Sequence, residues 1–209
     1  MVLESYTASK GYYMAAIAAL ENQRSPLRIN DTNVPLEDIA KCGVLVYKLT
    51  MDSSWEATLE QYCNQKGMKH RDVVKISPTH MPDFQDKLKI FFEEHLHLDP
   101  EVRLILEGSG YFDIRDSNDK WVRIPVAKGD LLWLPAGIYH RFTTDHNDFI
   151  VAMRLFRDEP KWTAYNRNKS DTDDMEERKK KTSLPAPSPR KPRTIEYTRC
   201  FPQDDRWNL

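Results

Sequence analysis

At 209 residues, with 40% hydrophobic and 30% charged side chains, the chain has ordinary soluble composition and can bury one sizeable core, so a single main domain is the default. A formal net charge of -1 removes any overall electrostatic case for a nucleic-acid or membrane-surface partner. The three cysteines, Cys42, Cys63 and Cys200, lack metal-type spacing and are odd in number, which excludes a simple disulfide framework and reads as free thiols of a reducing compartment.

Residues 1–25, including YYMAAIAAL, have helix-forming composition without a two-sided pattern and read as an N-terminal extension; their apolar run from Tyr12 to Leu20 is too short to span a membrane. Asn30 to Asn33 reads as a turn. Pro35 to Ala40 reads as a short helix with proline near its start, and Gly43 to Leu49 as a strand. Asp52 or Ser53 can cap a helix from Ser54 to Lys66 that Gly67 stops. Arg71 to Ile76 is a short extended run. Asp83 to Glu94 then carries Phe84, Leu88, Phe91 and Phe92 at helical spacing, one apolar stripe that leads the chain into two histidines.

From residue 101 the pattern changes to EVRLILEG, YFDIRD, WVRIPVAKG, DLLWLPAG, YHRFTTD and FIVAMRLF, short strands separated by glycine, asparagine and aspartate turns. Such spacing without long helices predicts an all-β-dominated fold, an antiparallel barrel or sandwich with a few peripheral helices, which further strands at 43–49 and 71–76 would complete as a small jelly-roll β-barrel. The domain is expected over 26–166. Residues 167–209 form a polar, proline-containing tail, with DDMEERKKK and LPAPSPRKP, that is expected to be largely disordered. Its 11 basic and 8 acidic side chains confine the basic excess to this end, and Tyr197, Phe201 and Trp207 could dock it back on the body.

The chemistry concentrates in two stretches. FFEEHLHLDPEVR supplies His95, His97 and Glu101, and GDLLWLPAGIYHRF supplies His140. Alternate residues of an extended chain share a face, so the two histidines and the glutamate can point into a barrel together. Three imidazoles and a carboxylate suit iron, nickel or manganese; the same four ligands would fill the usual zinc tetrahedron and leave no open position. His70, His80 and His146 lie in contexts that read as surface or structural.

These stretches resemble the two cupin motifs. HLHLDPEVRLILEG presents His95, His97, Glu101 and Gly108 in order, and the second motif is complete as Gly129, Pro135, Gly137 and His140. Lys89 stands where the first motif opens with glycine, and Thr144 where the second often closes with asparagine; neither position ligates a metal. Together with HRDVV and MRLFRDEPKW, these segments are similar to the acireductone dioxygenases of the eukaryotic methionine-salvage type, from about Pro26 to Arg167.

The resemblance implies a monomeric cupin barrel that holds one Fe²⁺ or Ni²⁺ through His95, His97, Glu101 and His140. It implies acireductone, 1,2-dihydroxy-5-(methylthio)pent-1-en-3-one, and O2 as substrates, with no nucleic-acid or membrane partner. The iron form would give formate and 4-methylthio-2-oxobutanoate, and the nickel form formate, carbon monoxide and 3-methylthiopropanoate. Arg103 and Arg154 match arginines of the family's pocket, and Phe91 and Phe142 match its aromatic positions, which gives these four catalytic-site roles. A cytoplasmic and also nuclear location is expected. Two other readings compete: a metal cupin with a different substrate, since four ligands alone define none, and a non-enzymatic binding module whose tail contacts a partner.

Overall fold

A computed structural model describes residues 4–5, 11–14, 23–24, 28–160 and 163–167, with the side chains of 4–5 and 28–32 left aside. Cys200, the tail from residue 168 and the expected docking of Tyr197, Phe201 and Trp207 lie outside the described residues. No helix among the described residues is long and apolar enough to cross a membrane.

The elements run β1 (Glu4–Ser5), β2 (Gly11–Met14), β3 (Arg28–Val34), α1 (Leu36–Lys41), β4 (Leu45–Lys48), α2 (Trp55–Lys66), β5 (His70–Ile76), α3 (Phe84–Phe92) and β6 (His95–Leu96). They continue as β7 (Glu101–Arg115), β8 (Trp121–Ala127), β9 (Asp130–Leu134), β10 (His140–Thr144), β11 (Ile150–Phe156) and β12 (Tyr165–Asn166). Every pairing is antiparallel. One sheet has the order β1-β4-β9-β7-β11-β5, and the other β12-β6-β10-β7-β8-β2-β3.

β7 belongs to both sheets, and this closes the jelly roll that the strand pattern predicts. Its first half pairs with β9 and β11, its second half with β8 and β10. EVRLILEG and YFDIRD, expected as two strands, are therefore one strand of 15 residues. The change of sheet occurs at Gly108, whose φ of 71° lies in the left-handed region and whose missing side chain makes room for the carbonyl oxygen of Phe149. A glycine flanked by turn-forming serine looks like punctuation in sequence; here it is a bend in a continuous ladder.

Alternation along the strands sorts the core into two layers. Ile105, Phe112, Ile114, Ile124, Leu132, Leu134, Ile150 and Ala152 face the space between the sheets, joined by Phe84 and Leu88 of α3. Val102, Leu104, Leu131, Trp133, Met153 and Leu155 face the other way, and Leu59, Tyr62 and Cys63 of α2 cover them. Thus α2 seals the outside of one sheet and α3 one end of the interior. Gly67, with φ 70°, ends α2 as the sequence predicts.

Two expectations are corrected near the N-terminus. Residues 4–5 and 11–14, read as helix-forming extension, are strands, and β2 joins the sheet beside β8 and β3. Asn30 to Asn33, read as a turn, lies within β3. In both cases pairing with another strand, β8 for β2 and β2 for β3, supplies backbone hydrogen bonds that override local propensity. On the outer face of that sheet, Arg123 is fully buried against Asp113, through bonds of 2.7 and 2.9 Å, and donates to the carbonyl of Gln23 at 2.8 Å.

Candidate metal centre

The loop after α3 delivers His95 into β6, where it is the Cα partner of His140 on β10. The chain then bends through Leu98 to Pro100 and enters β7 at Glu101. The turn Pro135-Ala136-Gly137 reaches back to this loop, with the Gly137 N–H donating to the His97 carbonyl at 2.8 Å and Gly137 adopting φ 77°. The two motifs are thereby hydrogen-bonded to each other as well as adjacent.

One ligand atom from each of His95, His97 and His140 lies within 4.8 Å of the others. Glu101 Oε2 stands 3.2 Å from His97 Nε2 and 3.1 Å from His140 Nε2. The remaining ring nitrogens are spoken for. Nδ1 of His95 lies 2.7 Å from the Glu93 carbonyl, Nδ1 of His97 2.8 Å from that of Thr163, and Nδ1 of His140 3.0 Å from that of Ile138. A carbonyl only accepts, so each Nδ1 carries the hydrogen and each neutral ring turns an Nε2 lone pair inward. Three lone pairs and a carboxylate then converge with no donor among them; such a set is stable only around a proton or a metal ion. The donor set fits a divalent metal.

The electrostatics express the same convergence. Burial, with the neighbouring His140, pushes the His95 pKa down to about 4. His97 moves the other way: burial would lower it, but the hydrogen bond and charge of Glu101 outweigh that and raise it. Glu101 is buried, which alone would raise its pKa, yet Arg103 and His140 hold its carboxyl well below the usual carboxylate range. The Glu101 carboxylate is thus charged, and its charge favours the protonated form of the neighbouring His97.

Around this cluster is a cavity of about 460 Å³. Arg103 and Arg154 line one wall and are Cα partners across β7 and β11; Arg103 Nη2 lies 3.2 Å from Glu101 Oε1. Phe91 of α3 and Phe142 of β10 line it too, their rings edge to face with centroids 6.4 Å apart. Val74, Ile76, Ile105 and Ile150 complete an apolar lobe. All eight residues singled out from the sequence therefore meet at one cavity.

Sequence reasoning missed the three carbonyls that orient the rings, because a backbone oxygen leaves no residue signature. It also missed Asp72, which grips Arg154 through bonds of 2.6 and 2.8 Å. A signal existed: Asp72 lies in HRDVV and shares strand parity with Val74 and Ile76.

Comparison with known proteins agrees with this geometry. The model of the ARD/ARD' family matches residues 13–164, starting inside β2 and so earlier than the 26–166 domain expected. An acireductone dioxygenase from Danio rerio is 49% identical over 155 residues, covering 73% of this chain and 86% of its own. Another from Ixodes scapularis is 55% identical over 128 residues, covering 61% and 70%. The solved acireductone dioxygenase from Bacillus anthracis, described with a cadmium ion in its active centre, superposes with a TM-score of 0.55 at 24% identity, over 64% of this chain and 90% of its own. That likeness carries the cupin fold.

Proposed function

The chain belongs to the ARD/ARD' family, a family of metal-dependent dioxygenases, and from that premise we propose that it is the acireductone dioxygenase of methionine salvage, with its metal held by His95, His97, Glu101 and His140. The observation that carries this reading is the donor-free convergence of three Nε2 lone pairs and one carboxylate inside a cavity walled by two arginines. The iron form cleaves acireductone to 4-methylthio-2-oxobutanoate and formate; the nickel form yields 3-methylthiopropanoate, formate and carbon monoxide.

Bound there, the ion supplies a Lewis-acidic centre that orients an enediolate and stabilises its charge. The protein's own groups do the rest. The three Nδ1 hydrogens, tied to the carbonyls of Glu93, Thr163 and Ile138, keep the rings from turning and make their inner nitrogens better electron-pair donors. Arg103 and Arg154 offer charge-assisted hydrogen bonds to substrate oxygens on the same wall. Phe91 and Phe142, with Ile105 and Ile150, form the apolar side that takes the methylthio end and keeps water from it.

On the same premise the protein works as a monomer with one ion per chain, in the cytoplasm and nucleus, on a small molecule and O2. The net charge of -1 supports the reading that it has no nucleic-acid or membrane partner. Its test is metal removal, anaerobic reconstitution with Fe²⁺ or Ni²⁺, and identification of products from acireductone and O2. The expected result is oxygen consumption with both metals and carbon monoxide from the nickel form alone; folded, fully loaded protein that turns over with neither metal sinks the assignment.

A further inference from the structure

Asp72, Arg154 and Arg103 form a row across three strands. Arg154 is the Cα partner of Asp72 across β11 and β5, and of Arg103 across β11 and β7. Two guanidiniums side by side on one sheet face repel. Each leans on its own carboxylate: Arg103 Nη2 lies 3.2 Å from Glu101 Oε1, and Arg154 donates through Nε and Nη2 to the two oxygens of Asp72 at 2.6 and 2.8 Å. The two carboxylates differ in kind. Glu101 belongs to the proposed metal set, whereas Asp72 does not line the cavity and is hydrogen-bonded to it through Arg154, its charge also acting on Arg103.

The Asp72–Arg154 pair sits at the rim, its side chains 37% and 25% exposed. A pair that accessible contributes little to folding. Its two parallel bonds do fix the plane of the Arg154 guanidinium, which a single bond would leave free to rotate. They also supply the second negative charge that lets two arginines share one wall.

We propose that Asp72 is a positioning residue: it holds Arg154 against the repulsion of Arg103 and so sets how well the site takes an anionic enediolate. This rests on the function proposed above. Without the carboxylate, Arg154 turns away from Arg103 toward solvent and the substrate oxygen loses a charge-assisted partner.

The experiment compares Asp72→Asn, Asp72→Glu, Arg154→Gln and the double variant Asp72→Asn/Arg154→Gln as metal-loaded protein, with metal content and melting temperature measured for each. The control is Glu60→Gln, which removes a comparable exposed carboxylate that bonds Arg71, the next residue on β5, at 2.6 Å. Asp72→Asn is expected to raise the KM for acireductone about tenfold and to leave kcat within about twofold, the pattern of lost binding. Asp72→Glu, which keeps the carboxylate fork, should recover most of that rise. The double variant should be little worse than Arg154→Gln, because the hydrogen bonds of Asp72 run to Arg154 and only its charge reaches Arg103. An unchanged KM in Asp72→Asn, an equal rise in Glu60→Gln, or full additivity with Arg154→Gln overturns the inference while leaving the proposed function standing. Failure of the metal-loaded wild type to turn over acireductone overturns that function, and the inference with it.

Discussion

At the scale of residues, the site is an arrangement of acceptors whose charges the protein has already set. His95 is held neutral, its pKa pushed down to about 4, against about 6.5 for the unfolded chain. A depressed histidine means that the unfolded state binds more protons between these values, so His95 costs the folded state stability as pH falls from 6.5 to 4. Metal-free wild-type protein is therefore expected to lose up to about 3 kcal/mol relative to His95→Gln over that interval, measured as the difference between denaturation curves at the two pH values. His97 acts in the opposite sense, since its raised pKa gives stability at low pH that fades as pH rises through it. Comparing the two proteins isolates the His95 contribution; curves that stay parallel from pH 6.5 to 4 would contradict it. That Glu101 and Arg103 line the cavity with Ile105 was legible because strand parity puts the three on one face. The orienting carbonyls were not, since Thr163 is 66 residues from His97 and offers only its backbone.

At the scale of elements, β7 carries the architecture. It places Glu101 and Arg103 in one sheet and Phe112 and Ile114 in the other, so its bend fixes where the ligand from the first motif meets His140. A side chain at position 108 would face a left-handed φ of 71° and collide with the Phe149 carbonyl. Gly108→Ala should cost about 2–4 kcal/mol, combining backbone strain with overpacking. A urea denaturation midpoint within error of wild type would show that the bend can relax. The helices were read well: α2 and α3 fall within the spans predicted from capping residues and apolar stripes. Local signals suffice there, because a helix makes its backbone bonds within itself. The strands at Gly11–Met14 and Arg28–Val34 were not read, because their hydrogen bonds run to each other and to β8.

At the scale of the molecule, the segment from Thr163 to Arg167 extends the sheet beyond β6 beside the candidate metal site. Its β12 pairs with β6, and Arg167 bonds Glu94 at 2.8 Å and Asp119 at 2.8 and 3.0 Å. The family match ends at residue 164. Protein ended after Arg167 should keep its melting temperature within a few degrees and its turnover within about twofold; a large loss in either would assign a structural part to the segment beyond. Protein ended before Thr163, in contrast, loses the carbonyl that holds His97 and should retain metal more weakly, by about 10- to 100-fold in affinity, read by chelator competition.

The sequence by itself determined the candidate ligand types, their order and the face that each strand presents, since these follow from residue chemistry and a period of two. It also determined the family, because two motifs with their ligand residues at set spacing, together with HRDVV and MRLFRDEPKW, carry far more information than any one histidine. Only the tertiary structure decided that EVRLILEG and YFDIRD are one bent strand, that N-terminal residues belong to the sheet, and that Asp72 stands behind Arg154. Each of these depends on partners elsewhere in the chain: the strands that pair with the two halves of β7, the β8 partner of β2, and Arg154, 82 residues from Asp72. Local propensity is silent about such partners, and the closing of the barrel chooses them.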